Sequence, residues 1–465
     1  MRRRKGRIRM SELIAVILAA GKGTRMRSKL PKVLHKVGGK PMLQHVIDAS
    51  SAAGAAEKVV IVGHEAELVE EMVGEQGKIV LQAEQLGTGH AVMQTQEALA
   101  GFTGTAMILC GDTPLLDGEE LKKFYEAHKA SGAAATVLTA VMDDPFGYGR
   151  IVRDAAGNVQ GIVEQKDATE EQKLIKEINT GIYCMECPLM FDMLANITNQ
   201  NAQGEYYLTD VLQKLNEAGH KVGGVVTEDS DMVMGINSRK QLSVAEGVMR
   251  QRILDKLMDA GVTIMDPAST FIEGSVKIGS DTIIYPYTWL EGNTVIGEDC
   301  EIGPNVRFTN VEVGNDTHIQ FTYGHDCKVC DHVTAGPYVH LRPDTVISNN
   351  VKIGNFVEVK NSNVGVGTKL PHLTYIGDSD IGSGVNMGCG CITVNYDGKK
   401  KHRTTIGDNA FVGCNTNLVA PVTVEANSYI GAGSTITKDV PENALGIGRA
   451  KQKNLEGWAE KYRNS

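Results

Sequence analysis

The first half of the chain alternates short apolar runs with stretches in which apolar residues recur at helical spacing. Strand-like runs occupy residues 14–18, 58–62, 106–109 and 134–141, and helical patterns occupy residues 41–53 and 88–99. Alternation of this kind is typical of a mostly parallel sheet covered by helices. We therefore predict a Rossmann-like α/β domain over residues 10–238.

A single amphipathic helix is predicted to follow this domain. Apolar residues recur three or four positions apart from Leu242 to Met258, and neither glycine nor proline occurs in this stretch after Gly247. A pattern of this length favours one continuous helix. We assign residues 239–261 to a linker helix between two domains.

From residue 262 the apolar period changes to six. The period is carried by two runs of aliphatic residues: Ile272, Ile278, Ile284, Leu290, Ile296 and Ile302, then Ile406, Val412, Leu418, Val424, Ile430 and Ile436. A strict hexad is typical of a triangular parallel β-helix, with one face per hexapeptide and the aliphatic residue inside. We predict this fold for residues 262–441 and a C-terminal tail for residues 442–465. Residues 393–405 lack an inward aliphatic residue and should loop out.

Charge and cysteine content narrow the class of protein. Six of the 47 basic residues lie in the first ten positions, so the rest of the chain carries 41 basic against 56 acidic residues, a net charge of −15. A chain this acidic beyond its first ten residues is a poor nonspecific nucleic-acid binder. No apolar run approaches the roughly 18 residues that a membrane helix needs. Nine cysteines, an odd number, suggest no disulfide framework and favour a cytoplasmic protein. Met10 is the expected natural start, with residues 1–9 an upstream extension.

A glycine-rich loop directly follows the first predicted strand. It reads Leu-Ala-Ala-Gly-Lys-Gly-Thr-Arg-Met at residues 18–26, and Pro31 and Lys32 follow. Glycines let backbone N–H groups approach a phosphate, whose charge Arg25 and Lys32 can neutralise. Met26 stands where a dinucleotide fingerprint needs glycine, and no Walker loop is present. A bare G-x-G is more often an ordinary turn, but the full run of specified positions favours a phosphate loop.

The loop resembles the signature of the sugar-1-phosphate nucleotidyltransferases. Further matches follow at residues 81–90, 111–112, 147–150, 161–164 and 177–181. With the hexapeptide repeats, nearly the whole chain from Met10 resembles the family of bifunctional bacterial N-acetylglucosamine-1-phosphate uridylyltransferases / glucosamine-1-phosphate N-acetyltransferases.

This resemblance implies an α/β nucleotidyltransferase domain joined by a long helix to a left-handed parallel β-helix. The second domain would acetylate glucosamine 1-phosphate with acetyl-CoA. The first would then transfer UMP from UTP to N-acetylglucosamine 1-phosphate, giving pyrophosphate and UDP-N-acetylglucosamine, a precursor of bacterial cell-wall polymers. Two alternatives stay open: a nucleotidyltransferase for another sugar 1-phosphate with a purely oligomerising β-helix, and a non-catalytic scaffold.

The resemblance also implies roles in the first domain. Arg25 and Lys32 would be catalytic, and Asp112 and Asn237 would hold Mg²⁺. The nucleotide would contact Leu18, Ala19, Ala20, Gly21, Lys32, Gln82, Gly87 and Thr88, and the sugar phosphate would contact Gly149, Glu164, Asn179 and Asn237. By spacing alone, Asp112 could equally be a turn residue, and Asn237 would more often be a helix N-cap.

In the second domain, His372 would be the general base that takes a proton from the attacking amine, since imidazole titrates near neutral pH. Arg342, Lys360, Tyr375 and Asn386 would bind the sugar phosphate, and Cys389, Asn395, Tyr396, Cys414, Ala432 and Arg449 would contact acetyl-CoA. The family builds this site between neighbours of a homotrimer. The basic tip at residues 399–403 is either a solvated charge run or a landing site for coenzyme A phosphates.

The chain departs from the family pattern at the coenzyme site. Cys389, Cys391 and Cys414 stand where the family has small residues, and Ala450 follows Arg449 in place of an apolar residue and proline. Cysteine is only slightly larger than alanine or serine. We expect a working acetyltransferase that is sensitive to thiol reagents.

A compact set of possible zinc ligands lies at His325, Cys327, Cys330 and His332. Four ligands within eight residues are too close together for a zinc finger, and alternate side chains of a strand point to opposite sides. The pattern therefore favours ordinary surface residues over a zinc site.

Overall fold

The computed structural model describes residues 12–463. The predicted extension at residues 1–9 and the predicted start at Met10 lie outside these residues. The chain divides into two compact units, the first ending at Met249 and the second beginning at Arg250. Among the described residues, no helix combines the length and apolar character that a membrane span requires.

The first unit is built on a nine-stranded sheet and one small hairpin. Its strands are β1 (Leu13–Ala19), β2 (Lys36–Val37), β3 (Lys40–Pro41), β4 (Glu57–Val62), β5 (Lys78–Leu81), β6 (Thr105–Cys110), β7 (Ala135–Val141), β8 (Arg150–Arg153), β9 (Val159–Val163), β10 (Glu177–Glu186) and β11 (Val222–Thr227). The main sheet has the order β11-β7-β10-β6-β1-β4-β5, with β8 and β9 paired beside β10. Strand β1 pairs in parallel with β4 and β6, whereas β10 is antiparallel to β6 and β7. The mostly parallel sheet of the prediction is confirmed.

Apolar residues cover both faces of this sheet. The helices of the chain are α1 (Met42–Ala52), α2 (Ala66–Val73), α3 (Thr88–Met93), α4 (Gly118–Ser131), α5 (Glu170–Lys173), α6 (Leu189–Leu194), α7 (Asp210–Glu217), α8 (Arg239–Asp259) and α9 (Trp458–Arg463). Along β1, Ala15 and Ile17 join one buried cluster, while Ile14 and Val16 join another. A strand buried on both faces reads as a continuous apolar run, as β1 does.

The sequence pattern predicts a helix over residues 88–99, but α3 ends at Met93 and turns follow to residue 101. The hydroxyl of Thr95 donates to the carbonyl of Val92 at 2.7 Å, and the side-chain amide of Gln94 donates to the carbonyl of His90 at 3.2 Å. Such side-chain bonds compete with the helical ladder for its acceptors. The local polar residues thus end a helix that the apolar period would continue.

The second unit is a coil of 26 short strands, each paired with the strands of the neighbouring turns. These strands are Thr263–Ile264, Phe271–Ile272, Lys277–Ile278, Ile283–Ile284, Trp289–Glu291, Val295–Ile296, Glu301–Ile302, Arg307–Val313, His318–Ile319, Thr322–Val329, Thr334–Ala335, Val339–Leu341, Thr345–Ile347, Lys352–Lys360, Asn363–Val364, Lys369–Gly377, Ser379–Ile381, Asn386–Met387, Ile392–Val394, Thr404–Ile406, Phe411–Val412, Asn417–Val419, Val422–Val424, Tyr429–Ile430, Thr435–Ile436 and Leu445–Gly446. Ile284 aligns in parallel with Ile302, one full turn later. Of the twelve hexad aliphatic residues, all except the half-buried Ile278 are buried. The unit is a parallel β-helix.

Helix α8 contributes to the core of each unit. Leu242 and Ala245 belong to a small apolar cluster with Ile236 in the first unit. Leu254 is buried in the core of the β-helix, and Ile253 packs against that core. The boundary between the two compact units therefore falls inside this helix.

One long loop leaves the β-helix at residues 395–403, as the missing hexad predicts. The flanking strands end at Val394 and begin at Thr404. Inside the loop, the carboxylate of Asp397 accepts the backbone N–H groups of Lys399 and Lys400, each at 2.7 Å. These bonds lower the pKa of Asp397 to about 2, and the bond from Lys400 has the largest effect. Asp397 therefore stays an anion that holds the loop in a tight turn.

Candidate active sites

A cavity of about 270 Å³ opens at the carboxyl ends of β1 and β6 in the first unit. These strands are parallel neighbours, so the segments that follow them meet at one edge of the sheet, where ligands of open α/β sheets bind. The lining residues are Leu18, Ala19, Ala20, Gly21, Lys32, Val33, Gln82, Gln85, Gly87, Thr88, Ala91, Cys110, Asp112 and Glu205. All eight residues predicted to contact the nucleotide are among them. Arg25 is not, and it is exposed on the short turn Thr24–Met26.

Lys32 connects the two residues that were predicted to bind magnesium. Its Nζ donates to Oδ2 of Asp112 at 2.5 Å and to Oδ1 of Asn237 at 2.9 Å. The backbone N–H of Ile236 donates to the carbonyl of Asp112 at 2.9 Å, which holds this segment beside the end of β6. The N-cap alternative for Asn237 is not what the structure shows, because the hydroxyl of Ser238 accepts the N–H of Gln241 at the start of α8.

The oxygen atoms that contact Lys32 are suitable ligands for a magnesium ion. The Lys32 ammonium is itself a cation that two oxygens contact, one from a carboxylate and one from a carboxamide. Mg²⁺ prefers oxygen ligands and commonly uses one or two carboxylates together with water and phosphate oxygens. Residues 12–463 contain no cluster of three or more His, Cys, Asp or Glu side chains that could form a cage. Asp112 and Asn237 would therefore share the ion with water and substrate.

Gly149, Glu164 and Asn179 lie together, as their predicted shared role requires. A methyl group built on Gly149 would be 3.3 Å from Oε1 of Glu164 and 3.4 Å from Cβ of Asn179. Oδ1 of Asn179 also accepts from the hydroxyl of Tyr183 at 2.9 Å. Burial raises the pKa of Glu164, and the nearby carboxylate of Asp167 adds to this. Asn237, the fourth residue predicted to contact the sugar phosphate, lies with Lys32 and Asp112 instead. The sequence pattern had not indicated a role for Tyr183.

Five predicted acetyl-site residues, together with Asn355, follow one corner of the β-helix. Asn355 aligns with His372 on the next coil. The backbone then links each coil to the following one: Gly390 N–H to His372 O at 3.4 Å, Asn415 N–H to Cys389 O at 2.7 Å and Gly433 N–H to Cys414 O at 2.8 Å. Arg449 ends the line, where its guanidinium donates to the carbonyl of Ala432 at 2.8 Å. We call the line Asn355, His372, Cys389, Cys414, Ala432 and Arg449 the coenzyme corner.

His372 is exposed, and its ring is held from one side. Nδ1 of His372 lies 2.5 Å from Oδ1 of Asn355. A carboxamide oxygen only accepts hydrogen bonds, so Nδ1 carries the proton and Nε2 keeps its lone pair. An imidazole in this tautomer can take a proton through Nε2. Sequence reasoning gave Asn355 no role, because seventeen residues separate it from His372 and only the coil brings them together.

A second polar group gathers three cations. Arg342 donates to Oε1 of Glu358 at 2.8 Å, and Nζ of Lys360 lies 3.1 Å and 3.2 Å from the two oxygens of Asp378. Contact with Lys360 lowers the pKa of Lys401, and the charge of Arg342 adds to this effect. Three cations thus face two carboxylates, which leaves an excess of positive charge suited to a phosphate. The basic tip of the extruded loop reaches this group through Lys401, one of the tip residues that the sequence predicts to be either a solvated charge run or a landing site for coenzyme A phosphates.

The remaining predicted acetyl-site residues divide between these groups. The amide of Asn395 donates to Asp378 and, at 3.4 Å, to the hydroxyl of Tyr375, so both lie beside the cations. Tyr396 is exposed on the loop and donates to Gly398 O at 2.7 Å. Asn386 aligns with Lys369 on the preceding coil. Within one chain, the residues predicted to bind acetyl-CoA therefore form two groups: the coenzyme corner and the loop with its base.

The four possible zinc ligands do not converge. Cys327 is buried in the core of the β-helix, while His325 contacts Asp326 and His332 contacts Asp316 on the surface. Cys330 is half-buried. The structure supports the interpretation of these residues as ordinary parts of the coil.

Together these features define a class of protein: a nucleotidyltransferase unit in one chain with a hexapeptide-repeat transferase unit. The family model described as nucleotidyl transferase matches residues 14–264. The model described as bacterial transferase hexapeptide (six repeats) matches residues 326–361 and 403–438, as expected of a left-handed β-helix.

Curated relatives match over nearly the whole chain. A Bifunctional protein GlmU from Caldanaerobacter subterraneus subsp. tengcongensis is 55% identical, covering 97% of this chain and 98% of the relative. Proteins of the same name from Geobacillus sp. strain WCH70 and Geobacillus thermodenitrificans are each 52% identical and cover 97% and 98% of this chain, and 98% and 99% of their own length. The chain belongs to the bifunctional GlmU family. It is a bifunctional enzyme, a uridylyltransferase and a glucosamine-1-phosphate acetyltransferase in one polypeptide.

Proposed function

We propose that the β-helix acetylates glucosamine 1-phosphate and that the first unit then joins the product to UMP, with the residues described above in named roles. The observation that carries the proposal is that the predicted nucleotide residues line one cavity, beside the Lys32, Asp112 and Asn237 group. The product of the first reaction is the acceptor in the second. The chain thus holds consecutive steps toward UDP-N-acetylglucosamine.

In uridylyl transfer, a phosphate oxygen of N-acetylglucosamine 1-phosphate attacks the α-phosphorus of UTP and pyrophosphate leaves. Such transfers depend on positioning and on neutralising phosphate charge. Gly21 and Lys32 line the cavity, where backbone N–H groups of the glycine loop and the ammonium of Lys32 would contact the phosphates. Arg25 is exposed in this conformation, so we assign it to the triphosphate only after the loop at 21–27 closes on the substrate.

Magnesium supports this reaction at Asp112 and Asn237. When bound, the ion supplies positive charge that screens the phosphates. Lys32, which now contacts both oxygens, would turn toward the phosphates, and Asp112 and Asn237 would hold the ion. The sugar would lie against Gly149, Glu164 and Asn179, where a buried carboxylate and a carboxamide can accept and donate hydrogen bonds to hydroxyl groups.

In acetyl transfer, Nε2 of His372 takes a proton from the amine as the amine attacks the thioester carbonyl, and the thiol of coenzyme A leaves. Asn355 holds the ring with Nε2 outward and acts as a positioning residue. Arg342, Lys360 and Lys401 bind the phosphate of the amino sugar, and Tyr375 lies beside them because Asn395 contacts both Tyr375 and Asp378. We assign Asn386, which aligns with Lys369 on the preceding coil, to the same substrate. Acetyl-CoA lies along the coenzyme corner.

A homotrimer would complete the acetyl site. Large apolar residues recur at the next position of the same corner: Tyr287, Phe321, Tyr338, Phe356 and Leu373, all with φ between 44° and 62°. The polar Asn305 lies between the first two, and we call the row of apolar residues the apolar ridge. Bulky residues are rare in this backbone region, and such strain concentrates at functional sites. Tyr338 and Phe356 are 56% and 52% exposed and stack at 5.1 Å. Leu373, in this ridge, directly follows His372. A second copy packed on the ridge would bring its loop residues Asn395 and Tyr396 to the coenzyme corner.

We place these reactions in the cytoplasm. All nine cysteines are free thiols in the structure, which suits a reducing compartment. The substrates are small phosphorylated molecules.

The proposal is tested by supplying purified protein with glucosamine 1-phosphate, acetyl-CoA, UTP and Mg²⁺ and following free thiol and pyrophosphate separately. Both products should appear, and pyrophosphate should lag behind thiol. Omitting acetyl-CoA should stop both, whereas supplying N-acetylglucosamine 1-phosphate should restore pyrophosphate alone. If pyrophosphate forms equally well from glucosamine 1-phosphate without acetyl-CoA, the proposed order is wrong.

A further inference from the structure

Two cysteines occupy aligned positions on adjacent coils of the coenzyme corner. The register pairs Met387 with Val412 before them and Ile392 with Asn417 after them, an offset of 25 residues in both cases (412 − 387 and 417 − 392). The same offset aligns Cys389 with Cys414. The backbone confirms this alignment, because the N–H of Asn415 donates to the carbonyl of Cys389 at 2.7 Å.

Cys389 and Cys414 lie in turns, each two residues after the end of a short strand, and these two strands are paired, so the aligned turn residues are close enough to be cross-linked. Neighbouring strands lie about 4.8 Å apart, which is within the roughly 4.4–6.8 Å that separates the Cα atoms of a disulfide. Because the two turns follow paired strands in the same register, their side chains leave the corner in similar directions. Glycines flank the pair at Gly388, Gly390 and Gly413, and their freedom lets the backbone adjust as two sulfur atoms approach.

The pair differs in exposure from the third thiol nearby. Cys414 is exposed and Cys389 is half-buried, so small molecules can reach the pair from solvent. Cys391 is buried, and its thiol donates to the carbonyl of Gly413 at 3.2 Å. Burial raises the pKa of Cys391. Cys391 therefore stays a thiol and competes poorly with its neighbours for an oxidant.

We propose that Cys389 and Cys414 form a reversible thiol–disulfide pair that stops acetyl transfer when it is oxidised by a small-molecule disulfide. The proposal rests on the proposed function, in which acetyl-CoA lies along this corner. The thiolate of Cys414 attacks one sulfur of the oxidant, a mixed disulfide forms and one thiolate leaves. The thiolate of Cys389 then attacks the sulfur of Cys414 and the second thiolate leaves. Two protein thiols are oxidised and one small disulfide is reduced to two thiols.

The cross-link would act on one activity only. It changes the shape of the corner at two positions beside the coenzyme, next to His372 on the preceding coil. In the first unit, Cys110 lines the nucleotide cavity, and its thiol donates to the carbonyl of Gly181 at 3.7 Å. The Cys389–Cys414 link lies in the second unit, and neither cysteine lines the nucleotide cavity. Uridylyl transfer therefore serves as an internal control.

The test exposes the reduced full-length enzyme to oxidised glutathione at pH 8, removes the glutathione, and assays each activity with its own substrates. The remaining thiols are blocked only in a parallel sample that is kept for peptide analysis. Peptide mass spectrometry then identifies any Cys389–Cys414 link. We expect acetyl transfer to fall at least tenfold as the link accumulates, uridylyl transfer to change less than twofold, and dithiothreitol to restore the acetyl rate.

Variants distinguish this pair from the other thiols, and the acetyl-transfer rate of each oxidised variant is compared with the rate of the same variant when it is reduced. Cys330→Ser, outside both sites, should respond like the wild type, whereas the double variant Cys389→Ala/Cys414→Ala should not respond. The proposal is overturned if no Cys389–Cys414 link forms, if the link forms without loss of acetyl rate, or if the double variant is still inhibited. Absence of acetyl transfer from the fully reduced wild type would instead overturn the proposed function, and the mass spectrum would still report whether the pair closes.

Discussion

Nδ1 of His372 lies 2.5 Å from Oδ1 of Asn355, its aligned neighbour on the preceding coil. The oxygen can only accept, so this contact selects the tautomer in which Nε2 is free. The coil thereby places a proton acceptor at an exposed corner in a defined orientation. Acetyl transfer should therefore depend on both residues, whereas uridylyl transfer, whose site shares no residue with them, should depend on neither.

Replacement of Asn355 should impair acetyl transfer by freeing the ring of His372. We expect Asn355→Ala to lower kcat about tenfold, with a smaller change in KM for acetyl-CoA. Asn355→Asp should shift the acidic limb of the pH–rate profile to higher pH, because a carboxylate beside Nδ1 stabilises the imidazolium. Asn363→Ala, whose amide contacts Asp380 on the surface, is the matched control. An unshifted profile in the Asn355→Asp enzyme would mean that the contact has no part in the proton transfer.

Replacement of His372 should remove the base itself. A positioned general base contributes about 10²- to 10⁴-fold, so His372→Ala should lower acetyl turnover by that order while acetyl-CoA still binds. Uridylylation of supplied N-acetylglucosamine 1-phosphate should be unchanged. Near wild-type acetylation by this variant from pH 6 to 9 would assign the base elsewhere, with Glu358, beside Arg342, the first candidate.

Asp112→Ala should abolish uridylyl transfer and spare acetyl transfer. The change removes a predicted magnesium ligand and the carboxylate partner of Lys32 at 2.5 Å. Pyrophosphate release and thiol release, measured on the same folded preparation, separate the two effects. Asp117→Ala, which removes only the N-cap of α4, controls for loss of stability. Equal loss of both activities in folded Asp112→Ala protein would contradict the two-site arrangement.

Gly23→Ala should weaken uridylyl transfer through Lys32. Gly23 has φ +58°, and a methyl group built on it would lie 2.6 Å from Cβ of Lys32. To relieve this contact, Lys32 must move from Asp112 and Asn237, so we expect at least a tenfold fall in kcat/KM. Gly132→Ala is the control, since its φ is +60° with no atom within 4 Å of the added methyl. It should cost about 1 kcal/mol of stability and leave the rate unchanged; similar kinetics for the two variants would refute the steric argument.

Glu164→Gln should raise stability and lower sugar affinity. Burial raises the pKa of Glu164, and the carboxylates of Asp167, Asp210 and Glu205 add to it, so folding disfavours the ionised form. This cost is absent below the ordinary pKa, grows as pH rises, and is complete above the folded-state pKa. The variant should therefore have a higher Tm than the wild type at pH 8, with the difference shrinking toward pH 4.5. Its KM for N-acetylglucosamine 1-phosphate should rise about tenfold.

The exposed Glu171→Gln on α5 should leave both quantities unchanged. A Glu164→Gln enzyme whose Tm difference from the wild type is the same at all pH values would show that the carboxylate is not destabilising when ionised.

The amino-acid sequence by itself determined the two architectures. Periodicity carries this information, because an apolar residue every sixth position fits a triangular coil and neither a helix nor an alternating strand. The apolar run of β1 likewise predicted a strand of a sheet covered by helices, with a glycine loop at its end. Where short polar residues compete with a period, as Thr95 does after α3, the period overestimated the element.

Only the tertiary structure decided which distant residues meet. Lys32 and Asp112 are 80 positions apart, and parallel neighbours in the sheet bring them to 2.5 Å. The register of the coil sets Asn355 on His372 and Cys389 on Cys414, and the extruded loop brings Lys401 to Lys360. Such contacts leave no periodic trace in the chain, because they depend on strand order and on the length of each turn rather than on the local alternation of polar and apolar residues.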